Sequence, residues 1–347
     1  MRRLLAGGLV ALSVHVPWAH ATEQVPLYRD VKDWVVGCDN THQCSALATA
    51  GAFDALPWSL RITREAGPEA VPRVSLFSFS DVQGTPLLDG KPLTSHLQKG
   101  EADNGEDWYA TGSDALALID ELRNGRQLTV ATNDGNAIAS LDGISAALLL
   151  IDSVQERVGT QTALLRRGQR PDSSVPPAPA APPLPAFQPV PQLSEADAQR
   201  IGDAVIAATR KDWEWQSEPE DRNRIEAHSY ALGPDAALVI VQTACAAYNC
   251  AFMLYQTSRS HPEQAQEAHI FRFPGELDDE PSGYVDYNPN TGDLSSFSKG
   301  RGLGDCGIAQ SWQYDGNAFQ PKRLARMDSC AGSESGGWPV LWRSAKQ

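Results

Sequence analysis

Residues 236–256 have the sequence AALVIVQTACAAYNCAFMLYQ, and this stretch decides the fold class. Its two apolar runs, Ala236–Thr243 and Phe252–Gln256, are rich in the β-branched and aromatic residues that favour strands. Cys245 and Cys250 stand between the runs, where a disulfide would close the connection of two neighbouring strands. The stretch therefore predicts an antiparallel β-sheet in the C-terminal half of the chain.

The rest of this half is predicted to add one helix and more strands. Ser194 and Asp197 have the spacing of a capping box, and apolar residues recur at helical intervals as far as Lys211. A helix is therefore expected over residues 194–211. Further strands are predicted at His269–Phe273, Tyr284–Tyr287 and Ser311–Tyr314.

The N-terminal half is predicted to combine short strands with two helices. Strands are expected at Trp34–Val36 and Arg73–Phe79, and Asn133-Asp134-Gly135 is a hairpin-turn sequence between two more. One helix is expected over residues 113–122, capped by its first serine, and Asp142 is expected to cap a second. Both halves are therefore assigned to the α+β class, each mainly antiparallel β with a few helices.

A proline-rich segment separates the two halves. Nine of the 22 residues from Pro171 to Gln192 are proline, which has no backbone N–H to contribute to a helix or a sheet. The composition predicts a semi-rigid linker over residues 169–192, between a domain at 22–168 and a domain at 193–347. We expect the two domains to fold independently, since few contacts should cross such a linker.

Six cysteines fall into three pairs that are close in sequence, namely Cys38 with Cys44, Cys245 with Cys250, and Cys306 with Cys330. Other pairings are possible, but proximity favours these three local disulfides. A redox-active pair is the alternative, and it is disfavoured because no CxxC motif opens a helix and no basic residue crowds the thiols. The cysteines are thus predicted to stabilise the two domains.

The first 21 residues have the pattern of a cleavable export signal. Arg2-Arg3 precedes an apolar run, Leu4–Trp18, and Ala19-His20-Ala21 places small residues at the two positions that a signal peptidase recognises. The apolar run is shorter than the ~20 residues that span a bilayer. We therefore expect cleavage near Ala21, a periplasmic or secreted protein, and no membrane span in the mature chain.

The chain is acidic, with a formal net charge of −14 that becomes −16 when Arg2 and Arg3 leave with the signal. This charge argues against nucleic acid or anionic lipid as a partner, because both are polyanions. It favours a cationic envelope protein or a basic hydrolase such as a lysozyme. Solubility outside the cytoplasm is the alternative explanation of the same charge.

Two groups of residues are candidate ligand-binding positions. Arg301 and Asp305 lie in a glycine-rich loop, where a guanidinium and backbone N–H groups could hold an anion. The glycines are equally explained by a loop that must reach a disulfide at Cys306. Trp338 and Trp342, which lie beyond the last cysteine, are the candidates for exposed aromatic side chains that hold peptides or sugars.

A weak candidate for a metal site is formed by Asp286, Asn288 and Asn290, whose alternate oxygen-bearing side chains resemble the start of a calcium loop. The pattern then departs from such a loop, because Gly292 comes one position late and Phe297 stands in place of the bidentate glutamate. A hairpin turn at residues 290–292 explains these residues better. No metal or other cofactor is expected.

The hydrolase motifs GxSxG and HExxH mark a serine nucleophile and a zinc site, respectively. Neither GxSxG nor HExxH occurs. Acidic pairs such as Asp278-Asp279 do occur, but glycosidase chemistry depends on their separation in space, which sequence does not give. The leading hypothesis is a non-enzymatic binding protein. The alternative is a carboxylate-dependent enzyme that acts on the cell wall or on a polysaccharide.

Two cysteine-centred motifs indicate a family. They are WxxxCDN at residues 34–40 and GDCG at 304–307, the latter followed by WxYDGxxF at 312–319. In these motifs the chain resembles the domain-of-unknown-function 1176 group, an uncharacterised family of exported bacterial proteins. The resemblance covers nearly the whole mature chain, implies an envelope or secreted location, and brings no catalytic residues. The N-terminal half also resembles, distantly, the invasion-associated locus B proteins through residues 34–44 and 140–143.

Overall fold

The three-dimensional structure is a computed structural model that describes residues 24–49, 56–78, 80–100, 107–216, 225–274, 280–330, 332 and 335–346. The predicted export signal, residues 1–21, lies outside these residues. The described parts contain three α-helices and 23 strands, and their strand pairs are antiparallel except for two. The prediction of a mostly antiparallel β fold with few helices is confirmed. None of the described helices is long and apolar enough to cross a membrane.

The N-terminal half forms two sheets and carries two helices. In chain order its elements are β1 (Leu27–Val31), β2 (Trp34–Cys38), β3 (Cys44–Ala48), β4 (Leu56–Pro57), β5 (Ser59–Arg64), β6 (Arg73–Phe77), β7 (Val82–Leu88), β8 (Lys91–Pro92), β9 (Gln98–Lys99), β10 (Trp108–Thr111), α1 (Gly112–Leu122), β11 (Gln127–Thr132), β12 (Gly135–Ser140) and α2 (Ile144–Val154). One sheet has the order β1-β2-β3-β5-β6-β10-β9 and the other β4-β12-β11-β7-β8.

A single hydrophobic core joins both sheets and both helices of this half. β2 and β3 are buried along their whole length, and Cys38 and Cys44 pair directly opposite each other across them. The predicted hairpin is confirmed, since β11 and β12 are antiparallel neighbours with Thr132 opposite Gly135.

Both helices begin differently from the predictions. Thr111 is the N-cap residue of α1, so Ser113 lies inside the helix and does not cap it. α2 follows Gly143, whose φ of 104° is left-handed, and Asp142 is therefore not its N-cap. A Cβ at Gly143 would lie 2.4 Å from the backbone oxygen of Val31. The approach of β1 requires glycine at this turn, and capping patterns in the sequence do not reveal that contact.

A buried ion pair fixes the chain that follows α2. Arg64 Nη2 lies 2.8 Å from Asp152 Oδ1, and both side chains are fully buried. Asp152 also accepts hydrogen bonds from the backbone N–H groups of Leu164 and Leu165. Burial lowers the pKa of Arg64 to about 10, against the opposing effect of Asp152. The pair thus holds the segment after α2 against the core.

The C-terminal half is built on one large sheet. Its elements are β13 (Pro183–Leu184), α3 (Glu195–Trp213), β14 (Glu226–Ala231), β15 (Ala236–Cys245), β16 (Cys250–Ser258), β17 (Gln266–Glu267), β18 (Ser282–Asn288), β19 (Asp293–Lys299), β20 (Gly307–Tyr314), β21 (Phe319–Met327), β22 (Val340–Arg343) and β23 (Ala345–Lys346). The sheet has the order β14-β15-β16-β18-β19-β20-β21-β22, and β17 pairs with β16 beside this path.

The pair of strands predicted from residues 236–256 is confirmed. β15 and β16 are antiparallel, with Cys245 opposite Cys250. The three disulfides are the predicted local ones, Cys38–Cys44, Cys245–Cys250 and Cys306–Cys330. The predicted cap of α3 is also present, because Ser194 Oγ accepts a hydrogen bond from the backbone N–H of Asp197 at 3.2 Å.

One predicted strand is wrong. Residues 269–273 contact the sheet through a single parallel bridge, in which Ile270 faces Phe319. On its other side, Phe319 pairs with Tyr314 of β20. Residues 269–273 are therefore held to the sheet at this one position and not along their whole length. The composition of residues 269–273 favours a strand, but these residues do not form a ladder of hydrogen bonds with a neighbouring strand.

The proline-rich segment contacts the C-terminal half. Pro183 and Leu184 pair in parallel with Ala345 and Lys346, and Leu184 is buried. Phe187 packs against the core of the C-terminal sheet. A spacer was expected to make few contacts. The segment makes these contacts because two apolar residues among its prolines, Leu184 and Phe187, pack against the C-terminal half. The division into domains at 22–168 and 193–347 stays a prediction.

The two halves also contact each other directly. A shared hydrophobic cluster combines Val35 and Leu47 with residues of the other half, namely Cys306, Ala325, Met327 and Trp338. Beside it, Asn40 Nδ2 donates to the backbone oxygen of Arg343 at 3.0 Å, and Arg343 forms an ion pair with buried Asp39. The WxxxCDN motif therefore ends in residues that hold the C-terminal strands.

Candidate functional site

A groove of about 430 Å³ lies between α3 and β14. α3 packs its apolar stripe, which includes Ile201 and Val205, on the sheet beside it. Gly202 is a point of close approach, because a Cβ there would lie 3.2 Å from Ala227 Cβ on β14. Small residues on both elements let the helix lie low along the first strand of the sheet. The groove follows this line of contact.

The groove is acidic on the helix side. Glu195 and Asp203 line it, and both are exposed. Spacing of eight residues places them on the same side of α3, about two turns apart. Neither carboxylate has an ion pair or side-chain hydrogen bond to another described residue. The described lining contains no lysine or arginine, so nothing in it neutralises the two charges.

The strand side of the groove is mixed in polarity. Ile225 and Ala227 contribute apolar surface, while His228, Ser229 and Tyr230 contribute polar groups. Within the described part of the chain, Ser229 Oγ is buried and has no hydrogen-bond partner. Burial of a hydroxyl without a partner costs ~1–3 kcal/mol, so β14 carries an unsatisfied polar group beside the groove.

Arg301 and Asp305, the first candidate ligand-binding residues, form an ion pair with each other. Arg301 Nε lies 2.7 Å from Asp305 Oδ1, and Asp305 Oδ2 also accepts a hydrogen bond from the backbone N–H of Gly332. Hydrogen bonding by Arg301 lowers the pKa of the Asp305 carboxyl. The guanidinium considered for anion binding is thus already occupied by a carboxylate of its own loop.

The same loop brings Asp305 within 4.8 Å of the sulfur atoms of Cys306 and Cys330. These sulfur atoms are joined to each other in a disulfide and have no thiolate to offer a metal ion. The arrangement is therefore a structural one, in which the ion pair and the disulfide hold the glycine-rich loop together.

The expectation that Trp338 is exposed is wrong. Only 2% of this residue is exposed, and its ring centroid lies 5.6 Å from that of Phe297. Trp342 is half-buried and packs against the C-terminal core. Both are covered because the end of the chain returns to pair with β21 and to contact the N-terminal half. Among the tryptophans that the structure describes, the strongly exposed one is instead Trp215, at 73%.

Asp286, Asn288 and Asn290 belong to the hairpin of β18 and β19. Asn288 Oδ1 accepts a hydrogen bond from the backbone N–H of Asn290 at 2.9 Å. The backbone oxygen of Asn288 accepts one from the N–H of Gly292, and Asn288 faces Asp293 across the hairpin. The predicted hairpin turn is confirmed, and the side chain of Asn288 is used to form it.

The groove has no signature in the sequence. Glu195 and Asp203 are two of 43 acidic residues, and their common helix side is the one signal that singles them out. That α3 lies beside an edge strand, and that Gly202 brings the two together, depends on packing between elements separated in the chain. The candidate site is thus a product of tertiary structure.

Comparison with known proteins gives the family. The model of the family described as "Protein of unknown function (DUF1176)" matches residues 28–345. The uncharacterized protein YpfG of Escherichia coli (strain K12) is 29% identical over 335 residues, which cover 91% of this chain and 93% of that protein. No solved structure matches. The resemblance of the N-terminal half to invasion-associated locus B proteins is not among these findings. With 318 residues matched by one family model, the chain belongs to the DUF1176 family of proteins of unknown function.

Proposed function

We propose that this protein is a periplasmic or secreted, non-enzymatic binding protein whose α3–β14 groove holds a cationic segment of an envelope or secreted partner. The observation that carries the proposal is the pair of exposed carboxylates, Glu195 and Asp203, in a groove whose described lining has no lysine or arginine. The signal-like residues 1–21 support the location, and the charge of −14 supports the sign of the partner.

The size of the electrostatic contribution can be bounded. Exposed ion pairs are worth ~0–1 kcal/mol each, so the two carboxylates together supply up to ~2 kcal/mol, or roughly 30-fold in affinity. Long-range attraction by the whole acidic protein adds mainly to the association rate. We therefore expect binding that depends on salt and falls as the Debye length shrinks from ~10 Å at 0.1 M to ~3 Å at 1 M.

The test is calorimetry of the mature protein with a lysozyme and with basic envelope proteins at several salt concentrations. Replacing both groove carboxylates, Glu195→Gln with Asp203→Asn, should weaken binding by about 10- to 30-fold at low salt. The matched control is Asp30→Asn with Glu69→Gln, which removes the same charge from exposed positions outside the groove. Equal weakening by both double variants would assign the effect to net charge and overturn the groove as the site.

A carboxylate-dependent hydrolase is the competing hypothesis. Assays with peptidoglycan, polysaccharide, ester and peptide substrates distinguish the two. We expect no turnover. Hydrolysis of any of these substrates that is abolished by one carboxylate-to-amide substitution would replace the binding hypothesis with the enzymatic one.

A further inference from the structure

β14 is an edge strand, and its outer edge faces the groove. It pairs with β15 on one side, and no other described strand pairs with it. An edge of this kind presents N–H and C=O groups to which another chain can bond. In the described structure this edge is protected mainly by the neighbouring helix, whose Gly202 lies close to Ala227 and Ser229.

The direction of each backbone group on β14 follows from two hydrogen bonds. Leu232, the residue after β14, donates its N–H to the backbone oxygen of Ala236, the first residue of β15, so the even-numbered residues bond inward. Ala231 N–H instead donates to Gln192 Oε1, outside the sheet. Ala227 and Ser229 have the same parity as Ala231, and therefore direct their N–H and C=O groups outward. Together they offer four backbone hydrogen bonds along the groove.

We propose that the partner segment binds in an extended conformation and adds to β14 as an antiparallel strand. This inference rests on the proposed function and specifies how the same groove holds its ligand. Ala227 and Ser229 provide the backbone bonds, and the hydroxyl of Ser229, buried without a described partner, is placed beside them. Recognition of extended peptides by an exposed sheet edge beside a helix combines main-chain bonds with side-chain contacts at alternate positions.

The geometry also fixes which ligand residues should be basic. In an antiparallel pair, residues directly opposite each other have their side chains on the same face of the sheet. Ala227 points towards α3, since its Cβ is near Gly202. The ligand residues opposite Ala227 and Ser229 therefore also face α3, where Glu195 and Asp203 lie. These same ligand residues form the hydrogen bonds to β14.

A peptide of alternating lysine and threonine tests this arrangement. N-methylation of the lysines blocks the N–H groups that should bond to β14, whereas N-methylation of the threonines blocks N–H groups that should face away. Each bond is worth ~0.5–1.5 kcal/mol. We therefore expect lysine methylation to weaken binding by about 10-fold or more, and threonine methylation to change it less than about 3-fold, with charge and composition identical.

Two substitutions in the full-length mature protein test strand addition by changing β14 instead of the peptide. Ser229→Pro removes the outward N–H, which an edge strand tolerates because that group does not bond to β15. Ser229→Ala keeps the N–H and likewise loses the hydroxyl. We expect the proline variant to bind the unmethylated peptide about 5-fold or more weakly than the alanine variant. Circular dichroism and the urea unfolding midpoint establish that both variants are folded.

The outcomes separate the two hypotheses. Binding of the lysine–threonine peptide with the stated dependence on methylation supports strand addition. Binding with no such dependence, or with the reverse dependence, overturns antiparallel addition and leaves a cationic ligand in the groove. Absence of any binding to the peptide and to the basic proteins overturns the proposed function itself.

Discussion

α2 and α3 both carry a carboxylate beside a sheet, and they use it in opposite ways. Seven of the 11 residues of α2 are buried, but five of the 19 residues of α3. Asp152 on α2 is fully buried and bonds to Arg64 and to two backbone N–H groups. Asp203 on α3 is exposed and has no such partner among the described residues. The buried carboxylate stabilises the fold through its ion pair and hydrogen bonds, whereas the exposed one beside the groove remains available to a ligand.

The physical reason is the cost of desolvation. Removing an ion from water costs several kcal/mol, and a buried charge is retained when a partner of opposite charge and further hydrogen bonds offset that cost. Asp152 meets both requirements and Asp203 needs neither, because water still solvates it. The two carboxylates should therefore respond very differently to the same substitution.

The largest expected difference lies in the free energy of unfolding. Asp152→Asn should lower it by ~3–5 kcal/mol, because Arg64 would remain buried without its counter-charge. Asp203→Asn should change it by less than about 0.5 kcal/mol, as is usual for exposed positions. Urea unfolding of the two variants measures both values. Similar losses of unfolding free energy in the two variants would show that the buried and the exposed carboxylate do not differ in their contribution to stability.

A smaller effect is expected at the beginning of α3. Ser194→Ala should lower the free energy of unfolding by ~1 kcal/mol, because it removes the hydrogen bond that Ser194 Oγ accepts from Asp197 N–H. Ser113→Ala on α1 is the matched control, since this serine lies inside its helix and is exposed. It should change stability by less than about 0.5 kcal/mol. A larger loss for Ser113 than for Ser194 would show that the caps are wrongly assigned.

The smallest effect concerns pH. The Arg301 hydrogen bond holds the pKa of Asp305 below its ordinary value of 3.8. The unfolded chain therefore takes up this proton first as the pH falls, and the stabilisation is present above about pH 4 and is lost as the pH drops through the lower, folded value. Because 39% of the Arg301 side chain is exposed, solvent screens the pair.

Unfolding free energies measured across the acid range check this prediction. Asp305→Asn should make stability less dependent on pH below about pH 4. The same acid dependence in this variant and in the unsubstituted protein would mean that the ion pair contributes nothing to acid sensitivity.

Local signals predicted the elements that local interactions stabilise. Strands β15 and β16 follow from their composition, and the cap of α3 follows from the spacing of Ser194 and Asp197. The errors occur where a distant segment intervenes. Gly143 rather than Asp142 precedes α2 because β1 approaches that turn, and residues 269–273 lack a ladder because they contact the sheet at one position.

The sequence by itself determined the antiparallel β class, the three disulfides and the acidic charge, because each depends on composition or on residues close in the chain. Tertiary structure alone decided that Trp338 is buried between the halves, that Arg301 is paired with Asp305, and that Glu195 and Asp203 line a groove. These features depend on which surfaces of separate elements exclude water from each other. No spacing along the chain encodes that choice, and the candidate site could therefore be recognised only in the folded protein.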